Sequence, residues 1–432
     1  MKSLAEVSLW GKVIAAVALD EEGVADFEYD SAFALSGIQV APVCMPLSSK
    51  IYRFPELSRK TFYGLPGLLA DALPDKFGHA LIDTWLASQG REAKSFNAIE
   101  RLCYTGDRAM GALEFKPVTG PKKTPAEQVK IDRLVALASS ILNQRQTLNH
   151  SFDADEEQAL TDILRVGTSA GGARAKAVIA WNPHSNEVRS GQIQAGDGFE
   201  YWLLKFDGVN GNRDKELNDP TGFGVIEYAY YRMAKDCAID MSECRLFEEN
   251  GRRHFMTRRF DRTQTGEKLH LQSLCALAHY DFNQAGAYSY EQAFLIMRQL
   301  GLTMQELEQQ FRRMVFNIVA RNQDDHVKNI AFLMDKSGQW SLSPAYDVTY
   351  SYNPSGDWTA QHQMTLNGKR DGFVVDDFKT CARNISLKRG RAEAIVKEVV
   401  AVVSQWCDFA DEARVSPEYR DKIARVLRVK DF

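Results

Sequence analysis

The polar octet NQDDHVKN at residues 322–329 is followed, after a strand-like run and a turn, by SPAYD at residues 343–347. Phosphoryl transfer requires an acceptor for the proton of the attacking hydroxyl and oxygen ligands for a magnesium ion on the phosphates. Asp324 is the candidate base, while Asn329 and Asp347 offer the hard oxygen atoms that Mg²⁺ prefers. The two segments therefore predict a phosphoryl-transfer centre.

The sequence around the octet predicts a loop between a helix and a β-hairpin. Residues 311–319 have apolar side chains at helical spacing, residues 330–334 read as a strand, and DKSG at residues 335–338 is typical of a turn. Aspartate and asparagine in loops most often cap turns or bond to backbone, which explains each such residue taken alone. The ordered set favours catalysis because a matching phosphate-binding segment lies upstream.

The upstream segment is VGTSAGGARAK at residues 166–176, which runs into the strand-like residues 177–181. Glycines let backbone N–H groups approach anionic oxygens closely, and successive amides can form an anion-binding nest. Arg174 and Lys176 add positive charge. The segment predicts a phosphate-binding loop, but it is not a Walker A motif, since Gly-Lys-Ser/Thr does not follow at the required spacing.

Lys205 lies in a second strand-like run, YWLLKF at residues 201–206. An ammonium group among apolar neighbours is costly unless it has an anion. The sequence leaves two candidate anions for Lys205: a nucleotide phosphate, or Glu227 on the amphipathic segment 225–234. A third interpretation is structural, in which the lysine stem packs and its head reaches solvent.

The glycine-rich segment also fits a different class of enzyme. GTSAG at residues 167–171 matches the G-x-S-x-G nucleophile elbow of serine hydrolases, with Ser169 as the nucleophile. The partners that a hydrolase needs would be His326 or His362 with Asp347. An elbow has a strand before the serine and a helix after it. Because residues 156–166 look helical and residues 175–181 look like a strand, the context disfavours the hydrolase.

Several segments resemble the HipA family of serine/threonine-protein kinases, the toxins of bacterial type II toxin-antitoxin pairs. FYGLPGLLADALPD at residues 62–75 is similar to the family's Gly-Leu-Pro and Asp-x-Leu-Pro-Asp segment, residues 169–176 look like its S-x-x-G-x-x-x-K loop, and residues 259–262 match Arg-Phe-Asp-Arg. The resemblance covers nearly the whole chain. It implies an α+β fold: a bilobal protein-kinase-like body with an N-terminal β-rich subdomain and a mostly helical C-terminal lobe.

The resemblance also implies a role for each site residue. Asp324 would be the base, Asn329 and Asp347 would hold Mg²⁺, and residues 258–260 would form the hinge beside adenine. The residues implied to contact ATP are Gly171, Gly172, Ala173, Arg174, Ala175, Lys176, Lys205, Arg258, Arg259, Phe260, His326, Val327, Lys328, Asn329, Tyr346 and Asp347.

Ser169 occupies the position at which HipA-like kinases phosphorylate themselves. The resemblance implies that the added dianion competes with ATP phosphates for the same donors and switches the enzyme off. Two positions depart from the family pattern: Arg258 stands where we expect an acidic hinge residue, and Asp325 stands beside the presumed base. The base assignment is therefore ambiguous by one position, and the D-x-H-x-x-N spacing favours Asp324.

The resemblance implies a HipB-like DNA-binding antitoxin and, through that complex, operator DNA and repression of transcription. The implied substrate is an aminoacyl-tRNA synthetase, glutamate-tRNA ligase above all, whose phosphorylation would inhibit translation and produce dormancy or persistence. A basic cluster is a candidate for DNA contact, although most such clusters are solvated: Lys388, Arg389 and Arg391. The competing hypothesis is a catalytically weak binding module that acts as antitoxin partner and DNA co-repressor.

Composition and length fit an ordinary globular protein of two or three domains, with 432 residues of which 44% are hydrophobic and 25% charged. We expect an N-terminal β-rich subdomain at 1–120, an ATP-binding part at 121–260 and a helical catalytic lobe at 261–432.

The net charge of −4 argues against a protein whose main task is to coat nucleic acid. The seven cysteines show no CxxC spacing, which predicts reduced thiols. The sequence has no leader and no apolar run long enough to span a bilayer, so we expect a cytoplasmic protein without membrane association.

Local patterns also predict individual elements. Strands are expected at 6–10, 13–19 and 24–29, and a helix is expected after Pro74. The strands near residues 177, 202 and 330 are expected to share one mixed sheet. Helices are expected within 290–319 and 391–407.

Overall fold

The predicted N-terminal strands are present in the computed structural model, which describes residues 3–120, 129–143, 163–164, 174–192, 195–209, 222–263 and 266–432. A four-stranded sheet has the order β3-β2-β1-β4. Its strands are β1 (Leu4–Leu9), β2 (Lys12–Leu19), β3 (Ala25–Tyr29) and β4 (Leu113–Lys116). Trp10 and Gly11, both at positive φ, form the β1–β2 turn. This left-handed pair matches the twist of a two-residue hairpin.

The described chain divides into two compact units. Unit 1 comprises Met1–Thr221, Arg245–Leu271 and Met334–Gly338, and unit 2 comprises Gly222–Cys244, Gln272–Leu333 and Gln339–Phe432. Helices and strands are mixed in both units, so the α+β class is confirmed. The three-part division at residues 120 and 260 stays a prediction.

Unit 1 contains five helices whose bounds both lie in the described ranges. They are α1 (Arg59–Phe62), α2 (Gly67–Ala70), α3 (Lys76–Ser88), α4 (Ala98–Thr105) and α5 (Ile131–Asn143). The predicted helix after Pro74 is α3. Its first turn is capped by Asp75, whose Oδ1 accepts the backbone N–H of Gly78 at 2.6 Å. The apolar face of α3 buries Phe77 and Leu81.

A five-stranded sheet in the order β6-β5-β7-β9-β8 lies in the same unit. Its strands are β5 (Lys176–Asn182), β6 (Glu187–Ser190), β7 (Glu200–Lys205), β8 (Cys244–Glu249) and β9 (Arg252–Arg258). The β5–β7 pair is antiparallel and places Lys176 directly opposite Lys205. The apolar core beside this sheet includes Trp202, Ile179 and Leu134. Each such side chain contributes about 1.5–3 kcal/mol on burial.

Most of the regular secondary structure of unit 2 is helical. Its helices are α6 (Phe223–Asp236), α7 (Leu274–Ala278), α8 (Tyr290–Gln299), α9 (Met304–Val319), α10 (Val375–Asn384), α11 (Arg391–Val403), α12 (Trp406–Glu412) and α13 (Pro417–Ala424). The predicted helical stretch 290–319 is interrupted between α8 and α9. Gly301 has φ +77° there, and Thr303 begins α9 in a capping box with Glu306.

One sheet prediction is wrong. The strand near residue 330 is β11 (Ala331–Met334), which lies in a three-stranded sheet with β10 (His270–Ser273) and β12 (Trp340–Leu342), in the order β10-β11-β12. The strands near residues 177 and 202 are β5 and β7 of the five-stranded sheet. Local patterns identify strands, but they do not identify pairing partners.

The seven cysteines are all free thiols. None of the described helices combines the length and apolar character that a membrane crossing requires.

Candidate active site

The octet forms the predicted loop between a helix and a hairpin. Helix α9 ends at Val319, Arg321 adopts left-handed backbone at φ +57°, and a 3₁₀ turn at Val327–Asn329 leads into β11. The polar residues therefore lie on a short connection fixed at both ends by regular structure. A loop on a rigid scaffold is a common place for catalytic groups.

Asp324 is oriented by hydrogen bonds on two sides. The indole Nε1 of Trp358 donates to its Oδ1 at 2.7 Å, and its backbone N–H donates to Ser351 Oγ at 3.1 Å. The Nε2 of His326 lies 3.7 Å from the same Oδ1. A third of the side chain, 33%, is exposed. One carboxylate oxygen is thus held by neighbours while the group still reaches solvent.

The surroundings raise the pKa of Asp324 above its usual value. Desolvation by the surrounding protein is the main cause, and His326 and Trp358 oppose it. The carboxylates of Asp347 and Asp325 raise the pKa further. A more basic carboxylate accepts a proton more readily, which suits a general base. Asp347 follows Tyr346, whose hydroxyl bonds to the carbonyl of Lys328 in the octet.

Asn329 joins the same group of residues. Its Nδ2 donates to the backbone carbonyl of Asp324 at 2.8 Å, which leaves the amide oxygen as its acceptor atom. Asp347 has left-handed backbone at φ +50°, and the neighbouring Tyr346 donates its hydroxyl to the carbonyl of Lys328 at 2.7 Å. The amide oxygen of Asn329 and the carboxylate of Asp347 are hard oxygen donors, the type that Mg²⁺ prefers.

The residues between Asp324 and Asn329 have different environments. The His326 ring is 5.4 Å from the ring of Phe282, and Lys328 Nζ is 5.3 Å from the centroid of that phenylalanine. Val327 is buried, so its side chain packs in the core. The sequence did not indicate Phe282 or Trp358. An isolated aromatic residue in a loop carries no local signal for a role beside the base.

Asp325, the alternative base, has a different setting from Asp324. It is 3% exposed and accepts hydrogen bonds from Tyr290 Oη at 2.7 Å, His362 Nδ1 at 2.8 Å and the backbone N–H of Gln363 at 2.7 Å. Burial alone would raise its pKa, but these partners hold the pKa below its usual value. A buried carboxylate that accepts three bonds is poorly placed to receive a substrate proton. This setting favours Asp324 as the base.

Most of the predicted phosphate-binding loop lies outside the described residues, namely Ser169, Gly171, Gly172 and Ala173. Arg174 is partly buried and Ala175 is buried. Lys176 is 2% exposed in its side chain, and its Nζ lies 3.3 Å from Asp75 Oδ2. The end of the loop is therefore connected by a buried ion pair to the Asp-x-Leu-Pro-Asp segment of the N-terminal region.

The other predicted nucleotide contacts of unit 1 lie on β7 and at the end of β9. Lys205 is 6% exposed, with Nζ 5.7 Å from the ring centroid of Phe255. Arg258 Nη2 is 3.7 Å from a carboxylate oxygen of Glu200. The Arg259 guanidinium makes a bidentate contact with Asp261. The side chain of Arg259 is therefore committed within the protein, and its backbone N–H donates to the carbonyl of Tyr201 at 2.9 Å. Phe260 beside it is partly buried.

Two further predictions concern residues outside these clusters. Glu227 on α6 is buried, at 1% exposure. Lys388 and Arg389 are exposed, whereas Arg391 forms ion pairs of 2.7 Å with Glu308 and 3.0 Å with Glu398. Arg391 therefore already has anionic partners within the protein.

The hydrolase alternative finds little support in the described residues. The candidate loop is followed by strand β5, where a nucleophile elbow has a helix. His362, one candidate base, bonds to Asp325, not to Asp347.

Comparison with known proteins places the chain in a family. Residues 5–116 match the model of the HipA N-terminal domain, and residues 168–406 match the model of the HipA-like C-terminal domain. The chain belongs to the HipA family. The HipA toxin of Shewanella oneidensis MR-1, solved with HipB and its operator DNA, superposes with a TM-score of 0.68 at 15% identity. The match covers 99% of this chain and 97% of that one, so the predicted HipA-like fold is confirmed.

A curated relative from Haemophilus influenzae has the name "Putative kinase". It is 24% identical over 207 residues, which is 41% of this chain. The matched region spans 60% of the length of that relative.

Proposed function

We propose that this HipA-family protein is an ATP- and Mg²⁺-dependent serine/threonine-protein kinase. The observation that carries the proposal is the grouping of Asp324, Asn329 and Asp347. The amide of Asn329 bonds to the backbone of Asp324, and the charge of Asp347 raises the pKa of the Asp324 carboxyl. A base and two hard oxygen donors are the parts that phosphoryl transfer requires of a protein.

Each residue has a proposed role. Asp324 would accept the proton of the substrate hydroxyl, with Trp358 holding one of its oxygens. Asn329 and Asp347 would hold Mg²⁺, which neutralises phosphate charge when bound. Lys205 would contact nucleotide phosphates, and residues 258–260 would recognise adenine through backbone groups. Lys176, fixed by Asp75, would hold the end of the glycine-rich loop in place.

The kinase would act as the toxin of a HipA/HipB-like pair in the cytoplasm. The Shewanella relative was solved with HipB and operator DNA, which supports a HipB-like antitoxin and DNA as partners. The proposed substrate is an aminoacyl-tRNA synthetase, in the first place glutamate-tRNA ligase, so that phosphorylation inhibits translation and growth. Autophosphorylation of Ser169 would end the activity, because a phosphoserine competes with ATP phosphates for cationic donors.

Incubation of the purified chain with γ-labelled ATP and Mg²⁺ tests the proposal. We expect label on the protein, with Ser169 as the mapped site, and label on added glutamate-tRNA ligase. Ser169→Ala should abolish the first signal and retain the second. A binding module without catalysis incorporates no label into either protein. A serine hydrolase would instead lose all turnover in Ser169→Ala.

A further inference from the structure

The buried carboxylate beside the base has a bonding pattern that the catalytic roles above do not use. Asp325 and His362 are 3% and 0% exposed. On Oδ2, Asp325 accepts bonds from Tyr290 Oη and His362 Nδ1, and on Oδ1 it accepts the backbone N–H of Gln363. Because a carboxylate only accepts, Nδ1 of His362 must be a donor. Asp325 thus connects α8 and the segment around residue 362 to the catalytic loop.

One path of hydrogen bonds leads from Asp325 to the backbone of Asp324. Tyr290 Oη accepts from Asn317 Nδ2 at 3.2 Å, and Asn317 Oδ1 accepts from Asn322 Nδ2 at 2.9 Å. Asn322 belongs to the octet, and Asn317 lies on α9. The first half of the path therefore connects Asp325 to the start of its own loop through two helices.

The second half of this path closes on the base. Asn322 Oδ1 accepts from Ser351 Oγ at 2.9 Å, and Ser351 Oγ accepts the backbone N–H of Asp324 at 3.1 Å. The path of hydrogen bonds begins at the carboxylate of Asp325 and ends at the backbone N–H of Asp324, the preceding residue, so the two adjacent residues and this path form a ring. Such a ring fixes the backbone at Asp324 relative to α8 and α9.

A shorter path reaches the carboxylate of the base. Gln363 donates its backbone N–H to Asp325, and its Nε2 donates to the backbone carbonyl of Trp358. Trp358 in turn donates its indole N–H to Asp324 Oδ1 at 2.7 Å. The position of the indole, and with it the direction of the Asp324 carboxylate, is thereby linked to Asp325.

We propose that Asp325 is a positioning residue for Asp324, acting on its backbone through Ser351 and on its carboxylate through Gln363 and Trp358. The inference rests on the proposed function, in which Asp324 is the base. It requires a carboxylate at residue 325, because asparagine has one acceptor oxygen and an NH₂ donor where three donors converge. With Asp325→Asn, at least one of the three donors is left without an acceptor.

The test compares Asp325→Asn with the wild type in the full chain. Transfer depends steeply on alignment, and a small misplacement costs up to about 100-fold in rate. We expect kcat to fall about 10- to 100-fold, while KM for ATP changes less than about 2-fold. Asp324→Asn and the double variant Asp324→Asn/Asp325→Asn should have the same residual rate, because Asp325 acts through Asp324.

Asp377→Asn is the matched control. Asp377 is 2% exposed in the same unit and accepts bonds from Asn367 Nδ2, Lys369 Nζ and the backbone N–H of Val374, each at 2.8 Å. These bonds involve no residue of the octet. We expect Asp377→Asn to keep the wild-type kcat. An unchanged kcat in Asp325→Asn, or an equal loss in both variants, would overturn the proposal.

Hydrogen–deuterium exchange supplies a readout that does not need activity. Asp325→Asn should speed amide exchange within residues 322–329, whereas Asp377→Asn should not. If the wild type transfers no phosphate, the kinase assignment fails, and this exchange difference still decides the role of the network. If Asp325→Asn does not fold, Tyr290→Phe is the alternative variant, because it removes one of the three donors to Asp325. Tyr290→Phe should lower kcat and leave KM for ATP unchanged. Wild-type kcat and wild-type amide exchange in Tyr290→Phe would contradict the proposal.

Discussion

Replacing Asp261 with asparagine should destabilise unit 1 strongly. Asp261 is 0% exposed and is surrounded by donors. Arg259 donates from Nε and Nη2 at 2.9 and 2.7 Å, Arg262 Nη1 donates at 2.7 Å, and the backbone N–H of Gly111 donates at 2.7 Å. The carboxylate thus connects the RFDR segment to residue 111 of the N-terminal region.

The magnitude follows from what the substitution leaves behind. The Arg259 side chain is 1% exposed, so Asp261→Asn leaves a buried guanidinium facing a neutral amide. Breaking a buried ion pair by removing one partner costs about 3–5 kcal/mol. For a unit of this size, each kcal/mol lowers Tm by about 2–4 °C. The expected decrease in Tm is therefore about 6–20 °C.

The pH dependence has a definite sign. Burial opposes ionisation of Asp261, but the charges of Arg259 and Arg262 outweigh it and hold its pKa below the usual range. The stabilisation is therefore fully present above the unfolded aspartate value of about 3.9 and is lost as the pH falls toward the folded pKa. The difference in stability between wild type and Asp261→Asn should shrink below about pH 4.

Thermal and urea unfolding followed by circular dichroism at pH 7 measures the effect. The control is Asp26→Asn, which removes an exposed pair with Arg53 at 3.0 Å and should change the free energy of unfolding by less than about 1 kcal/mol. If Asp261→Asn were as stable as this control, the network around Asp261 would not hold the unit together as described.

Two further predictions concern pH. Trp358→Phe removes an indole donor that lowers the pKa of Asp324, so the acid limb of the kcat/KM profile should move to higher pH; an unmoved limb would exclude this contact in solution. Burial lowers the pKa of His254 and of His270 to about 4, below the unfolded value of about 6.5. The unfolded chain therefore binds protons first on acidification, and the free energy of unfolding in urea should fall between about pH 6.5 and 4; a flat profile would contradict this.

Local sequence was sufficient for the elements that carry the candidate site. The octet at residues 322–329 was predicted to be a loop from three neighbouring patterns: the apolar spacing in residues 311–319, the strand-like residues 330–334 and the turn at 335–338. In the structure this loop lies between α9 and β11. The N-terminal strands were predicted for the same reason. In each case the information lies in a few neighbouring residues, namely hydrophobic periodicity and turn chemistry.

Contacts between distant residues were beyond the sequence. Two of these contacts join residues that lie at least 34 positions apart in the sequence: the indole of Trp358 bonds to Asp324, and His362 bonds to Asp325. The pairing partners of β11 depend on the order of the strands in the sheet. The two adjacent aspartates looked interchangeable in the sequence. Their separation into a partly exposed and a buried carboxylate is visible only when α8 and the segment around residue 362 are packed against the loop.

The role of Asp324 as the base is tested by measuring phosphoryl transfer by Asp324→Asn beside calorimetric titration of ATP into the same preparation. The substitution removes the proton acceptor and keeps the shape of the side chain, so ATP binding should be retained. Transfer should fall by about 100-fold or more, the usual contribution of a general base. Wild-type transfer by Asp324→Asn would exclude Asp324 as the base.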